Sequence, residues 1–285
     1  MSSSQAHNVR NALTTILANI QSLAAKHNRT HPINLLAVSK TKPVDSIKEA
    51  YDAGQIHFGE NYVNELLEKY QHCPADIKWH FIGHLQTNKV AKLACVPNLY
   101  QVESIDSLRL AEKLSNAWKA YGPKPTKPLR VCVQVNTSHE ASKSGCRPEE
   151  CVELVKSIHE KCDGLKVVGL MTIGSLDESV PPRDCFSVLT QLKKELETAV
   201  PSLFEGKSGE DAESKDAAEP FVLSMGMSGD YEDAIACGST QIRIGTAIFG
   251  ARSYVSKGAK EEEAELAAAA SGASTEDGGV EVGKQ

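Results

Sequence analysis

Eight short apolar runs, each separated from the next by a stretch of helical spacing, constrain this chain more than any other feature of its sequence. The runs are LLAVS (35–39), IHF (56–58), WHFIG (79–83), LYQVE (99–103), LRVCVQVN (129–136), LKVVGLMTIG (165–174), FVLSM (221–225) and QIRIG (241–245). Between them, residues 44–53, 61–71, 86–95, 106–120, 149–162, 182–199 and 229–237 can form helices. Strands that alternate with helices need crossover connections, which are right-handed and build a parallel sheet. Eight such units in roughly 250 residues fit an α/β fold of one closed (β/α)8 TIM barrel. The competing arrangement is an open, doubly wound sheet. Its dinucleotide fingerprint, G-x-G-x-x-G after the first strand, is absent.

The N-terminus, MSSSQAHNVRNALTTILANI, lacks the basic and continuously apolar regions of a signal peptide. Val9, Leu13, Ile16, Leu17, Ile20 and Leu23 fall at helical spacing, which predicts an extra helix before the barrel. No run approaches the length of a membrane span. Eight cysteines are scattered without a C-x-x-C pair, and with no export signal they read as reduced thiols, several of them core residues such as Cys132.

The net charge of −6 is concentrated in two segments, EGKSGEDAESKDAAE (205–219) and the tail 255–285, each of net charge −4. Removing both leaves +2, so the folded part is near neutral and no affinity for nucleic acid follows. The expected organisation is a barrel over residues 1–254, a disordered acidic insert at 205–219, and a disordered, alanine-rich tail at 255–285 in which AKEEEAELAAAA has the composition of a loose helix. GKS at 206–208 lacks the upstream glycine of a phosphate loop.

Active sites of such barrels lie at the C-terminal ends of the strands. Lys40 stands there after the first run, either as a solvated lysine or as a functional amine. After the seventh and eighth runs, where barrels frequently bind phosphate, LSMGMSGDYEDAI places Ser224, Met225, Gly226 and Gly229, and QIRIGTAIFG places Gly245 and Thr246. Glycines let backbone N–H groups approach an anion, and hydroxyls add donors. Arg243 in a barrel strand needs either an internal partner or a ligand. Asn61, in GENYVNE, either donates to a ligand or caps the next helix. His80 and His84 lie four apart in a strand-like run and so share no helical face; a metal site is not expected.

The segments AVSKTKP (37–43), HFGENYVNE (57–65), WHFIGHLQTNK (79–89), GLMTIG (169–174), LSMGMSGDYEDAI (223–235) and GSTQIRIGTAIFGAR (238–252) together resemble the pyridoxal phosphate homeostasis family, the YggS/PROSC-type PLP-binding proteins. The resemblance spans nearly the whole barrel. It implies the barrel of the alanine racemase N-terminal domain, the type III PLP fold, with pyridoxal 5′-phosphate as cofactor on a Lys40 aldimine. It also implies phosphate binding by Ser224, Gly245 and Thr246, and Arg243 at the pyridine nitrogen. Asn61, His80, Met171 and Met225 would complete the pocket.

An amine attacks an aldehyde only when neutral, and a barrel mouth lowers a lysine pKa by desolvation and by a nearby cation, a part Lys42 can play unless it points to water. A guanidinium only donates, so a ring nitrogen facing Arg243 stays unprotonated and the ring is a weak electron sink. The racemase's second base comes from an added β-domain that 255–285 cannot build. The expected function is therefore a PLP carrier and buffer without robust turnover, in vitamin B6 and amino-acid homeostasis. The alternative is a weak PLP-dependent racemase or related enzyme. A monomer is expected, cytoplasmic with a mitochondrial pool left open, touching apo PLP enzymes transiently and neither nucleic acid nor membrane.

Overall fold

The structure is a computed structural model that describes residues 8–140, 143–175, 177, 179–204, 220–251 and 257–272. Eight parallel strands close a barrel in the order β1 to β8. They are β1 Asn34–Val38, β2 His57–Glu60, β3 Lys78–Phe81, β4 Leu99–Ile105, β5 Leu129–Gln134, β6 Leu165–Met171, β7 Val222–Ser224 and β8 Gln241–Ile244. Each lies within or overlaps one of the eight apolar runs. These runs are continuous rather than alternating because strands wrapped by helices are buried on both faces. β1, with four of five residues buried, shows this directly.

The helices are α1 Val9–Lys26, α2 Val44–Asp52, α3 Val63–Lys69, α4 Val90–Ala94, α5 Leu108–Tyr121, α6 Pro148–Lys161, α7 Pro182–Ala199, α8 Tyr231–Ala236, α9 Thr246–Phe249 and α10 Lys257–Gly272. Asn8 starts α1 by accepting from the Asn11 amide at 2.9 Å. Its apolar stripe of Val9, Leu13, Ile16 and Ile20 is buried against the barrel core. The reason for this extra helix is visible after β8, where α9 has only four residues, about 6 Å of helix. That is too short to cover the seam between β8 and β1, and α1 packs against α9, α8 and α2 to cover it.

Three sequence expectations need correction. α4 begins at Val90 rather than 86, because the Lys89 amide bonds the Gln86 carbonyl at 3.0 Å in a separate tight turn. The sixth run leaves the sheet at Met171, with 172–174 continuing as loop. In the tail, the expected helix is present over Lys257–Gly272 as α10, but it packs on α3 instead of lying loose. Glu262, 1% exposed, accepts from the Asn64 amide at 2.9 Å, in the first turn of α3. Glu68 on α3 accepts from the Gly258 amide at 3.0 Å, and Lys89 pairs with Glu265 at 2.7 Å. Carboxylates that fill backbone donors at helix starts explain why this acidic segment docks. The acidic insert 205–219 and residues 273–285 lie outside the described residues. No described helix is long and apolar enough to cross a membrane.

Candidate functional site

Strand register decides which loops meet at the C-terminal face. Ala37 on β1 lies opposite Ile244 on β8 and Phe58 on β2, and Val38 lies opposite Gly59. Lys40, half-buried, therefore emerges beside Gly245 and Thr246 on one side and Asn61 on the other. A β-carbon on Gly245 would sit 3.3 Å from the Val38 carbonyl oxygen, a measure of how closely the ends of β8 and β1 approach. The 226–228 turn joins the same sector. The Arg243 amide bonds the Gly226 carbonyl at 2.9 Å, and the Ala247 amide reaches the Ser228 hydroxyl at 3.4 Å. Gly226 has φ +96°, and its β-carbon would fall 2.5 Å from that of Ala234, so only glycine makes this turn.

The backbone on both sides of Lys40 is pinned from behind by a buried ion cluster. Lys69 Nζ lies 2.7 Å from Glu60 and 2.8 Å from Glu65, and all three are at most 3% exposed. The Ser39 hydroxyl donates to Glu60 at 2.6 Å, and Lys69 donates to the Ser39 carbonyl at 2.7 Å. On the other side, the Thr41 amide donates to Glu65 at 2.8 Å, and Thr41 has φ +58°. A non-glycine residue in that region is strained and persists only where its surroundings hold it. Burial opposes charge on Lys69, but Glu60 and Glu65 outweigh it and raise its pKa. Burial and the neighbouring Glu60 lift Glu65 to about 7.

Lys42 does not point to water. It is buried, and its ammonium binds the carbonyls of Phe249 and Gly250, each at 2.9 Å, and also that of Ala251. It ties the strand-1 loop to the end of α9, where a helix C-terminus favours a cation.

A chain of polar side chains crosses the barrel lumen. Arg243 Nη1 donates to the Ser224 hydroxyl at 2.9 Å and Nη2 to the Thr172 carbonyl at 2.7 Å. Ser224 in turn donates to Glu103 Oε2 at 2.6 Å, across the barrel from β7 to β4. Glu103 Oε1 meets Gln241 Nε2 and His80 Nδ1, both at 2.7 Å, and His80 Nε2 meets His57 Nδ1 at 2.9 Å. Burial works against charge on Glu103, but hydrogen bonds from His80 and Ser224 and the nearby Arg243 outweigh it and depress its pKa. Burial, then His80, Lys78 and Arg130, push His57 down to about 3, so its ring is neutral.

The candidate residues thus separate into two groups. Lys40, Asn61, Arg243, Gly245 and Thr246 converge at one sector of the C-terminal face. Ser224, His80, Met171 and Met225 lie beneath it. The Ser224 proton is given to Glu103, and both His80 nitrogens are engaged inside the barrel. Met171 packs with Cys132 and Val168. Met225 is fully buried, and its amide is bonded to the Gln241 carbonyl at 3.1 Å. Asn61 is not a helix cap: Tyr62 occupies that position on α3, and Asn61 Oδ1 is buried with no hydrogen bond among the described residues. Gly83 allows this placement, since a β-carbon there would lie 1.9 Å from the Asn61 carbonyl oxygen. Glu103, Gln241, Glu60, Glu65 and Lys69 were not expected at the site. Polar residues inside otherwise apolar runs, as in LYQVE and QIRIG, were the available signal.

Two cavities are prominent, and neither is lined by Lys40. One, about 770 Å³, lies between His84, Asp106, Ser144 and Leu266 of α10, and the other, about 300 Å³, lies at the N-terminal mouth. The chemistry of converging donors at strand ends, rather than the size of a hollow, places the candidate site.

Residues 12–253 match the family model of the alanine racemase N-terminal domain. The pyridoxal phosphate homeostasis protein of Mus musculus is 44% identical over 270 residues, covering 90% of this chain and 92% of the relative. A solved structure of PipY from Synechococcus elongatus with PLP bound superposes with a TM-score of 0.62 at 30% identity, over 81% of this chain and all of that one. Alanine racemase of Clostridium difficile shares the fold at 15% identity, with a TM-score of 0.61, over 87% of this chain and 58% of its own. With that domain model matched over residues 12–253 and 44% identity across most of both chains, the chain belongs to the pyridoxal phosphate homeostasis protein family, built on the alanine racemase N-terminal domain.

Proposed function

We propose that this chain carries pyridoxal 5′-phosphate reversibly as a Schiff base on Lys40. It thereby buffers the free aldehyde and maintains vitamin B6 and amino-acid balance, without robust turnover of its own. The convergence of Lys40, Asn61, Arg243 and the 226–228 and 245–246 loops in one sector carries this reading, and the PLP-bound PipY relative supports it. When bound, the cofactor supplies an electrophilic aldehyde, a pyridine ring and a phosphate.

The residues present suit that group. The Gly245–Thr246 step and the 226–228 turn provide backbone amides and hydroxyls for a phosphate. The orphaned Asn61 Oδ1 is a buried acceptor that a ligand donor would satisfy. Arg243 is held by Ser224 and Thr172, and a guanidinium can only donate toward a ring nitrogen. We assign Ser224 to support of Arg243, and His80, Met171 and Met225 to the floor beneath it. The Glu60–Lys69–Glu65 cluster fixes the backbone from which the Lys40 side chain reaches the aldehyde. Transient delivery to apo PLP enzymes, a monomeric state and a cytoplasmic location belong to the same proposal.

The experiment is the visible spectrum of the purified protein after incubation with PLP, followed by borohydride reduction and peptide mapping. A yellow protein labelled on Lys40, and loss of both signals in Lys40→Ala, is expected. A colourless wild type overturns the reading.

A further inference from the structure

The C-terminal helix α10 is seated on the segment that carries Asn61. The Asn64 amide, at the start of α3, donates to Glu262 Oε2 at 2.9 Å, and the Tyr62 hydroxyl donates to Glu263. Glu262 is buried, so its carboxylate exchanges water for this contact. At the start of α10 the Gly258 amide donates to Glu68 at 3.0 Å. A β-carbon on Gly258 would lie 2.9 Å from the Asn64 carbonyl carbon, so the two helices touch at the backbone. Further along, Glu265 pairs with Lys89 at 2.7 Å. Leu266 shares a cavity wall with His84, the residue after the Gly83 that packs against Asn61. Next to Asn64 in α3 stands Glu65, whose carboxylate accepts from the Thr41 amide at 2.8 Å. The first turn of α3 therefore lies between α10 and the Lys40 backbone, held by each through neighbouring residues.

We infer, resting on the PLP reading of Lys40, that α10 is a strap on the cofactor site. Docked, it fixes Asn61 and, through α3, the main chain at Lys40; undocked, it lets both move and PLP leave. A helix of 16 residues is marginal when isolated in water, so α10 keeps its shape only while seated, and undocking and unwinding are one event. Its seat includes carboxylate contacts to a backbone amide, a hydroxyl and an ammonium. Hydrogen bonds and ion pairs of this kind each contribute modestly, so the strap opens without unfolding the barrel. Glu262 and Glu263 are then positioning residues for PLP, acting through Asn64 and Tyr62.

The test compares the full chain with three full-length variants. Ala264→Pro, at an exposed position of α10, unwinds the strap and leaves every barrel side chain in place. Glu262→Ala removes the acceptor of the Asn64 amide, and Glu262→Gln keeps an oxygen there. Amide hydrogen exchange over residues 61–64, measured without cofactor, reports the clamp. Loss of visible absorbance after dilution of PLP-loaded protein reports retention. Both should speed up, by about tenfold or more in Ala264→Pro and about fivefold in Glu262→Ala. Glu262→Gln should stay near wild type, and the amides of α6 should be unchanged in all three. Wild-type exchange over 61–64 in Ala264→Pro overturns the strap, as does an increase that spreads equally to α6. Faster exchange with PLP loss no quicker than in loaded wild type overturns it too, and leaves the cofactor reading intact. A wild type that takes up no PLP overturns the cofactor reading, and the strap with it.

Discussion

Two buried charged clusters sit within this barrel, and they do different work. The one in the lumen, centred on Glu103, is built from side chains on β3, β4, β7 and β8 that meet across the interior. The one in the wall, Glu60–Lys69–Glu65, comes from β2 and α3, with Glu60 and Lys69 nine positions apart, and bonds mainly to the backbone around Lys40. The first is assembled by closure of the barrel and positions a side chain, Arg243. The second is local and positions a segment of main chain. Buried ions are poor sources of net stability, because desolvation offsets their attraction. The geometry each imposes on the C-terminal face is the better account of why they are there.

Removing charges one at a time separates these roles. Glu103→Leu should have the largest effect, toward the upper end of about 3–5 kcal/mol, because it strands His80, Ser224, Gln241 and Arg243 together. Urea unfolding measures it, and a loss below about 1 kcal/mol would show that the lumen chain is dispensable. Lys69→Met should cost less, near about 3 kcal/mol at pH 8, by leaving Glu60 and Glu65 face to face. It should also slow PLP uptake in stopped-flow absorbance, since the Lys40 backbone loses an anchor.

Glu65 makes the wall cluster pH-dependent. With its folded pKa at about 7 against an ordinary 4.5, the folded protein holds a proton that the unfolded chain releases. This contribution is fully present below about 4.5 and is lost as pH rises through about 7. Glu65→Gln keeps the oxygen that Thr41 and Lys69 use, so it should flatten the stability profile between pH 5 and 8. A profile identical to wild type would place the titration elsewhere. Outside both clusters the effects shrink. Glu262→Ala should cost about 1–2 kcal/mol, the loss of a buried acceptor at the start of α3. Lys119→Ala, which breaks an exposed pair with Asp163, should leave the unfolding midpoint where it is.

Fold and site were legible to different depths. The eight strands could be located because a strand buried on both faces must be apolar along its length, as in LLAVS and WHFIG. Lys40, Gly245 and Thr246 could be placed on the C-terminal face because they follow directly on the ends of β1 and β8. Ser224 and Asn61 were placed less well. A serine hydroxyl at a strand end reads the same whether it meets a ligand or, as here, donates to Glu103 on a strand far away in sequence. Asn61 looked equally suited to capping, and only the geometry of α3 excludes that use. The docking of α10 was hidden because its acidic, alanine-rich composition matches that of an unstructured tail until Asn64 presents an open backbone donor.

The sequence by itself determined the barrel and the lysine at its rim, since both depend on periodicity and on position within a local run. Only the tertiary structure decided which polar residues face one another. Glu103, Ser224 and Arg243 lie up to 140 residues apart, and their partnership exists only once the sheet has closed and brought β4, β7 and β8 around one lumen.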